Sequence, residues 1–191
     1  MPDQPAYSQA VQLLLRADRL FALGPGQPDP EAGKQLRALG PEALFAPEKV
    51  YNPVCARACL AGLWLYFDYL DESHTISQDL SSAEGSYWHG IMHRREPDYG
   101  NSKYWFRRVG PHPVFEPLRR RAAALYAAAG KPADADVLGR QGAWDPYAFI
   151  DLCEAVALGR AGCEMLCRQV QRAEWDLLFD HCYRRAIWQQ G

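Results

Sequence analysis

The sequence predicts an all-α fold: a single domain of seven or eight helices packed around a buried central helix. Three observations predict it. No segment sustains the apolar–polar alternation of a half-buried strand, and β-branched residues are sparse. Apolar residues recur instead at steps of three and four in several stretches. Asp-Pro, Asn-Pro and Gly-Pro pairs punctuate those stretches where helices would start and stop. The 191 residues suffice for one sizeable core and are marginal for two. Residues 1–50 read as N-terminal helices of that domain.

Residues 6–23 read as a first amphipathic helix, with Tyr7, Val11, Leu14, Leu15 and Phe21 at helical spacing. Three prolines and two glycines between Gly24 and Pro30 end it. Asp29 then caps a short helix from Pro30 to Leu39, with proline at its first position. Gly40-Pro41 stops that helix, and one further turn fits Pro41 to Ala46. From Asn52 to Leu70 the apolar residues Val54, Cys55, Cys59, Leu60, Leu63, Trp64, Phe67 and Leu70 cover the circumference. A helix without a polar face is surrounded by protein, so this one is central. Its C-terminal end brings Asp71, Glu72 and His74 to the rim. Residues 79–86 read as a connecting loop.

A helix from Gly85 to Arg95 follows, with Tyr87, Trp88, Ile91 and Met92 on one side. At about 100° per residue, His89, His93 and Glu96 fall together on the other. Pro97 places Glu96 at or past the last turn. Residues 98–101 form a turn, and Asn101 or Ser102 caps a helix from Ser102 to Val109. An Ala-rich helix spans Val114 to Ala129, with Arg119, Arg120 and Arg121 as a solvated face. A turn at Asp134 to Leu138 leads to a helix opened by Asp145-Pro146 and running to Leu158. The last helix spans Cys163 to Trp188, with Cys163, Leu166, Val170, Ala173 and Leu177 as its inward stripe.

Composition excludes several classes. Hydrophobic residues make up 48%, charged residues 23%, and the net charge is −2, which argues against a general nucleic-acid binder. The longest apolar run, Ala58 to Phe67, is too short to span a bilayer. The first residues, Met1-Pro2-Asp3-Gln4-Pro5, lack the basic start and apolar core of an export signal. Cys55/Cys59 and Cys163/Cys167 are each four apart. Their Cβ atoms would lie about 5–6 Å apart on a helix, beyond the roughly 3.5–4.5 Å of a disulfide. The six cysteines are expected to be small buried hydrophobes in a reducing cytoplasm.

The chemistry is concentrated between Glu72 and Phe115, which hold four of the five histidines. Arg94, Arg95, Lys103, Arg107 and Arg108 stand against Glu96 and Asp98 in residues 89–112. That stretch is net +3, so the remainder is −5. A positive patch on an acidic body suits a small anion better than a nucleic-acid track. His89 and His93 can reach one ion from a single helix face. Glu96 could add an oxygen, and His74 or Glu72 could close the site. Such a set suits zinc, iron or manganese. It lacks the His-Glu-x-x-His order of a zinc peptidase. Arg94, Arg95, Lys103, Arg107 and Arg108 can fork onto an anion. Asn101 and His112 add polar groups, and Tyr104, Trp105 and Phe106 can stack on a ring. His89, His93, Glu96 and Asp98 are candidates for acid–base catalysis. There is no Gly-x-Ser-x-Gly elbow and no phosphate-binding glycine loop.

The run from Trp88 through His89, His93, Arg94, Arg95, Glu96, Asp98, Asn101 and Lys103 to His112-Pro113 resembles the signature of a family of uncharacterised bacterial and fungal proteins. His74, Gln78 and Glu174-Trp175 fit the same pattern, which covers residues 52 to 188. The resemblance implies that this cluster defines the chain, and it implies no reaction. Two functions are therefore expected. One is binding of a small anionic ligand, with metal-dependent catalysis at the histidines. The other is a non-enzymatic module that docks a protein or nucleic acid on a basic aromatic surface.

Overall fold

The computed structural model describes residues 7–40 and 42–189. Residues 1–6, which hold the export-signal reading and the first residue of the predicted first helix, lie outside the described residues, as does Pro41. Among the described residues there are ten α-helices, one 3-10 turn and no strand. The helices are α1 (Gln9–Leu14), α2 (Pro30–Ala38), α3 (Pro53–Tyr66), α4 (Leu70–Gln78) and α5 (Ala83–Arg95). They continue as α6 (Tyr99–Val109), α7 (Phe115–Ala128), α8 (Val137–Arg140), α9 (Pro146–Ala157) and α10 (Glu164–Ile187).

Two caps act as the sequence predicts: the carboxyl oxygens of Asp29 and Asp145 accept from Ala32 N and from both Tyr147 N and Ala148 N. Asn52 caps α3 in the same way, accepting from Cys55 N, and in all three proline is next in the chain. Helix α3 is central: Ala58, Cys59, Ala61 and Leu63 are fully buried, and α4, α5 and α10 pack on it. Gly62 makes one of these approaches possible, because a Cβ there would lie 2.7 Å from the Trp88 ring. The Gly62 carbonyl accepts from Trp175 Nε1 at 2.8 Å. All six cysteines are free and buried, as expected. Among the described residues no helix is long and apolar enough to cross a membrane.

Four predicted boundaries are corrected. Helix α1 stops at Leu14, and residues 18–29 run mainly as irregular chain. Side chains of α10 supply the hydrogen bonds that a helix would have supplied: Arg168 donates to Phe21 O, Gln171 to Ala22 O and Arg172 to Arg19 O. The predicted central helix breaks after Tyr66. Tyr69 N donates to Trp64 O and Asp68 N to Leu65 O, the paired bonds of a Schellman stop. Asp68 holds the left-handed position, at φ 67°, where glycine is usual. The chain restarts as α4, a separate helix rather than the end of the central one. The connecting loop is shorter than predicted, because Ser82 caps α5 by accepting from Gly85 N. Helix α6 begins three residues early, with Asp98 rather than Asn101 or Ser102 as its cap.

Candidate metal centre

The break at Asp68 turns α4 back against α5, which places His74 beside His89 and His93, one turn apart on α5. One nitrogen of each ring lies within 4.8 Å of the other two. The His89 and His93 rings stack with centroids 4.7 Å apart. His74 meets both edge-on, at 4.6 and 5.3 Å. On the other side α6 closes tightly over α5. A Cβ at Gly90 would lie 2.8 Å from the Phe106 ring, and Ser102 Oγ donates to Gly90 O at 2.7 Å. This close approach brings Trp105 flat onto His89.

The surroundings favour the neutral forms of His89 and His93. Burial, with His93 and His74 nearby, pushes His89 down to about 3. Burial also lowers His93, outweighing the opposing pull of Glu96. A neutral imidazole keeps the lone pair that a metal takes. For His93 the lone pair can be assigned to one atom. Its Nδ1 lies 2.9 Å from Glu96 Oε2, so Nδ1 carries the proton and donates it. Its Nε2 is then unprotonated and accepts from Asn101 Nδ2 at 3.0 Å. His89 Nδ1 is buried without a hydrogen-bond partner among the described residues, a state that normally costs about 1–3 kcal/mol.

Glu84, His112 and His181 form a second close trio. Its protons argue against a metal. His112 Nδ1 accepts from Val114 N, so in the neutral ring Nε2 carries hydrogen. Burial, with His181 beside it, pushes His112 down to about 4. His181 Nε2 donates to Glu84 Oε1, and Arg185 Nη1 donates to the same oxygen. The His181 hydrogen bond is the main reason the Glu84 carboxyl falls to about 2. Glu84, His181 and Arg185 thus form a hydrogen-bond network holding α5 to α10, while His112 meets His181 only ring to ring and its Nε2 has no hydrogen-bond partner among the described residues. The sequence reading passed over Glu84 and His181, which are 97 residues apart, and no local pattern links them.

The remaining predicted site residues divide clearly. Glu96 touches His93 at Nδ1, behind the proposed ligand atom, and Asp98 caps α6 by accepting from Asn101 N. Glu72 pairs with Arg37 at the surface, so His74 is the residue of α4 that joins the cluster. Arg94 and Arg95 do not face the histidines. Arg94 is buried against Glu174 and lies over the Phe149 ring. Arg95 is buried against Asp68 and donates to Leu65 O. Lys103 pairs with Asp151. Arg107 and Arg108 are exposed and lie over the rings of Tyr104 and Trp105. Tyr104 is exposed, Trp105 stacks on His89, and His112 belongs to the second trio. The structure therefore gathers the imidazoles and disperses the guanidinium groups.

A cleft of about 480 Å³ lies between residues 25–28 and the start of α4, lined among others by Gly26, Tyr69, Asp71, Glu72 and Glu96; none of the three histidines lines it. Its carboxylates favour an approaching cation. No protein-family model, no curated protein and no solved structure matches this chain.

Proposed function

We propose that the chain binds a divalent transition metal through His74, His89 and His93, and that the bound ion serves a small anionic ligand. One observation carries this reading: three imidazoles from two helices converge within 4.8 Å, one of them with a buried unpartnered nitrogen. A hydrophobic core has no use for three clustered polar rings, and a general base needs only one. Glu96 behind His93 matches the carboxylate that commonly orients a metal-bound histidine and raises its basicity. Zinc, iron and manganese are the candidate ions. Such an ion supplies a Lewis acid and an acidified water. For the anion, Arg107 and Arg108 are the motif's guanidinium groups without a carboxylate partner among the described residues.

The test is metal titration of chelator-treated protein, followed by elemental analysis. We expect one ion per chain, lost in His89→Ala and His93→Ala. A folded protein that takes up no metal would overturn the reading. A second reading is supported by the exposed Tyr104, Arg107 and Arg108 on α6, which suit docking of an acidic partner. It requires binding that weakens steeply with salt and ignores chelator.

A further inference from the structure

We propose that Asn101 is the fourth protein ligand of this centre, turning its amide oxygen onto the ion when one binds. The inference rests on the metal reading above. Its starting point is the 3.0 Å between Asn101 Nδ2 and His93 Nε2. Two donors held on one cation at roughly 2.0–2.2 Å, about 90–110° apart, are separated by about 2.9–3.5 Å. The Asn101 amide thus already stands at ligand-to-ligand spacing from the nitrogen that would bind.

The hydrogen bonds explain why the amide presents its NH2 end to His93 Nε2. His93 donates its Nδ1–H in a hydrogen bond to Glu96, so Nε2 is an acceptor and must face a donor. A cation at Nε2 takes that lone pair and repels the positive NH2 end. A half-turn of the amide exchanges Nδ2 for Oδ1 with little displacement, because the two ends are nearly the same size. The acceptor oxygen then faces the ion.

The backbone under Asn101 is well held. It lies in the first turn of α6, with its N–H on Asp98 Oδ1 at 3.0 Å. The next residue, Ser102, is fully buried and donates to Gly90 O, directly after His89 on α5. The two ligand-bearing helices are thus fastened one residue from Asn101 and one from His89. Three imidazoles and an amide oxygen form a mixed borderline and hard donor set. It suits zinc, iron(II) or manganese(II), disfavours copper(I), and leaves room for water or substrate on a five- or six-coordinate ion.

The test is cobalt(II) titration of chelator-treated protein, with the visible absorption band and competition against a chromogenic chelator as readouts. Asn101→Ala is expected to weaken binding about tenfold or more, at least the loss usual for an orienting residue. It should also alter the band. Asn101→Asp keeps an oxygen donor and is expected to hold or tighten the ion. Asn101→Leu replaces the alanine variant, with the same expectation, if the latter folds poorly by circular dichroism. Unchanged or tighter binding in Asn101→Ala would overturn the proposal and leave Asn101 as a hydrogen-bond partner of His93 only. Folded wild-type protein that binds no cobalt, zinc, iron or manganese would instead sink the metal reading on which it stands.

Discussion

The Trp105 indole lies face to face with the His89 imidazole, centroids 3.9 Å apart and planes 15° from parallel. An aromatic lid of this kind excludes water from the ring beneath it, and burial is the largest reason that His89 titrates near 3. We expect Trp105→Ala to raise the His89 value toward the usual 6.5, measured by NMR titration of the ring protons. Trp105→Phe keeps a flat cover and should leave most of the depression in place. An unshifted His89 in Trp105→Ala would show that α4 and α5 desolvate it unaided.

The metal-free protein should lose stability as pH falls, with one onset near pH 6.5 and a second near pH 4.5. His89 and His112 have folded values of about 3 and 4, below the usual 6.5. The unfolded chain therefore binds more protons between these limits, and stability declines as pH drops through about 6.5. Each histidine should contribute a loss of about 1 kcal/mol between roughly pH 7 and 5.5. Glu84, held near 2 against a usual 4.5, adds a second loss below about pH 4.5. Urea denaturation in chelator across this range checks both losses. His89→Phe should flatten the upper one by its share.

Glu96→Gln tests the orienting role of the carboxylate on His93. The amide can still accept from Nδ1–H, but it carries no charge to raise the basicity of Nε2. Metal affinity should fall about 10–100-fold, the usual cost of losing such a partner. Glu96 has a side chain 51% exposed, so melting of the metal-free form should barely change. Equal metal affinity in the variant would mean that the hydrogen bond alone orients the ring.

Helix starts were legible because their signals are local: Asp29-Pro30, Asn52-Pro53 and Asp145-Pro146 each begin a helix. The stop at Asp68 was hidden, because an aspartate occupies the position where glycine would announce it. Two groups far away in the sequence hold that aspartate: Arg95 and Arg19 both pair with it. The histidine cluster was legible in part. Helical spacing put His89 beside His93, while His74 joins them through a turn the sequence conceals. Arg94 and Arg95 misled for a related reason. A basic pair beside histidines suggests an anion site, yet their carboxylates lie 80 and 27 residues away. Helical phase could not separate a core face from a polar one on α5, since every residue from Glu84 to Arg95 is buried.

The contact between α5 and α6 depends on a missing side chain. A Cβ at Gly90 would stand 2.8 Å from two Phe106 ring carbons, well inside van der Waals contact. Gly90→Ala should therefore force the helices apart, costing about 1–3 kcal/mol as overpacking usually does. Because α6 carries both Trp105 and Asn101, metal affinity should fall as well. Trimming the partner in Gly90→Ala/Phe106→Leu should recover part of the stability. No recovery would place the strain elsewhere along the helix pair.

Charge burial separates two ion pairs that look alike on paper. Arg94 and Glu174 are both fully buried, joining α5 to α10. Their surroundings are only partly satisfying, since Arg94 Nε, Arg94 Nη1 and Glu174 Oε1 have no hydrogen-bond partner among the described residues. Coulomb attraction to Glu174 offsets the effect of burial and keeps the Arg94 value raised. Glu174→Gln would strand a buried guanidinium, and such broken pairs typically cost about 3–5 kcal/mol. Arg94→Met/Glu174→Met removes both charges and should cost clearly less than Glu174→Gln. Lys103 and Asp151 pair with side chains 32% and 58% exposed. Asp151→Ala should change stability by no more than about 1 kcal/mol. Equilibrium denaturation of the four proteins decides the matter: equal losses for Glu174→Gln and Asp151→Ala would show that water reaches Arg94.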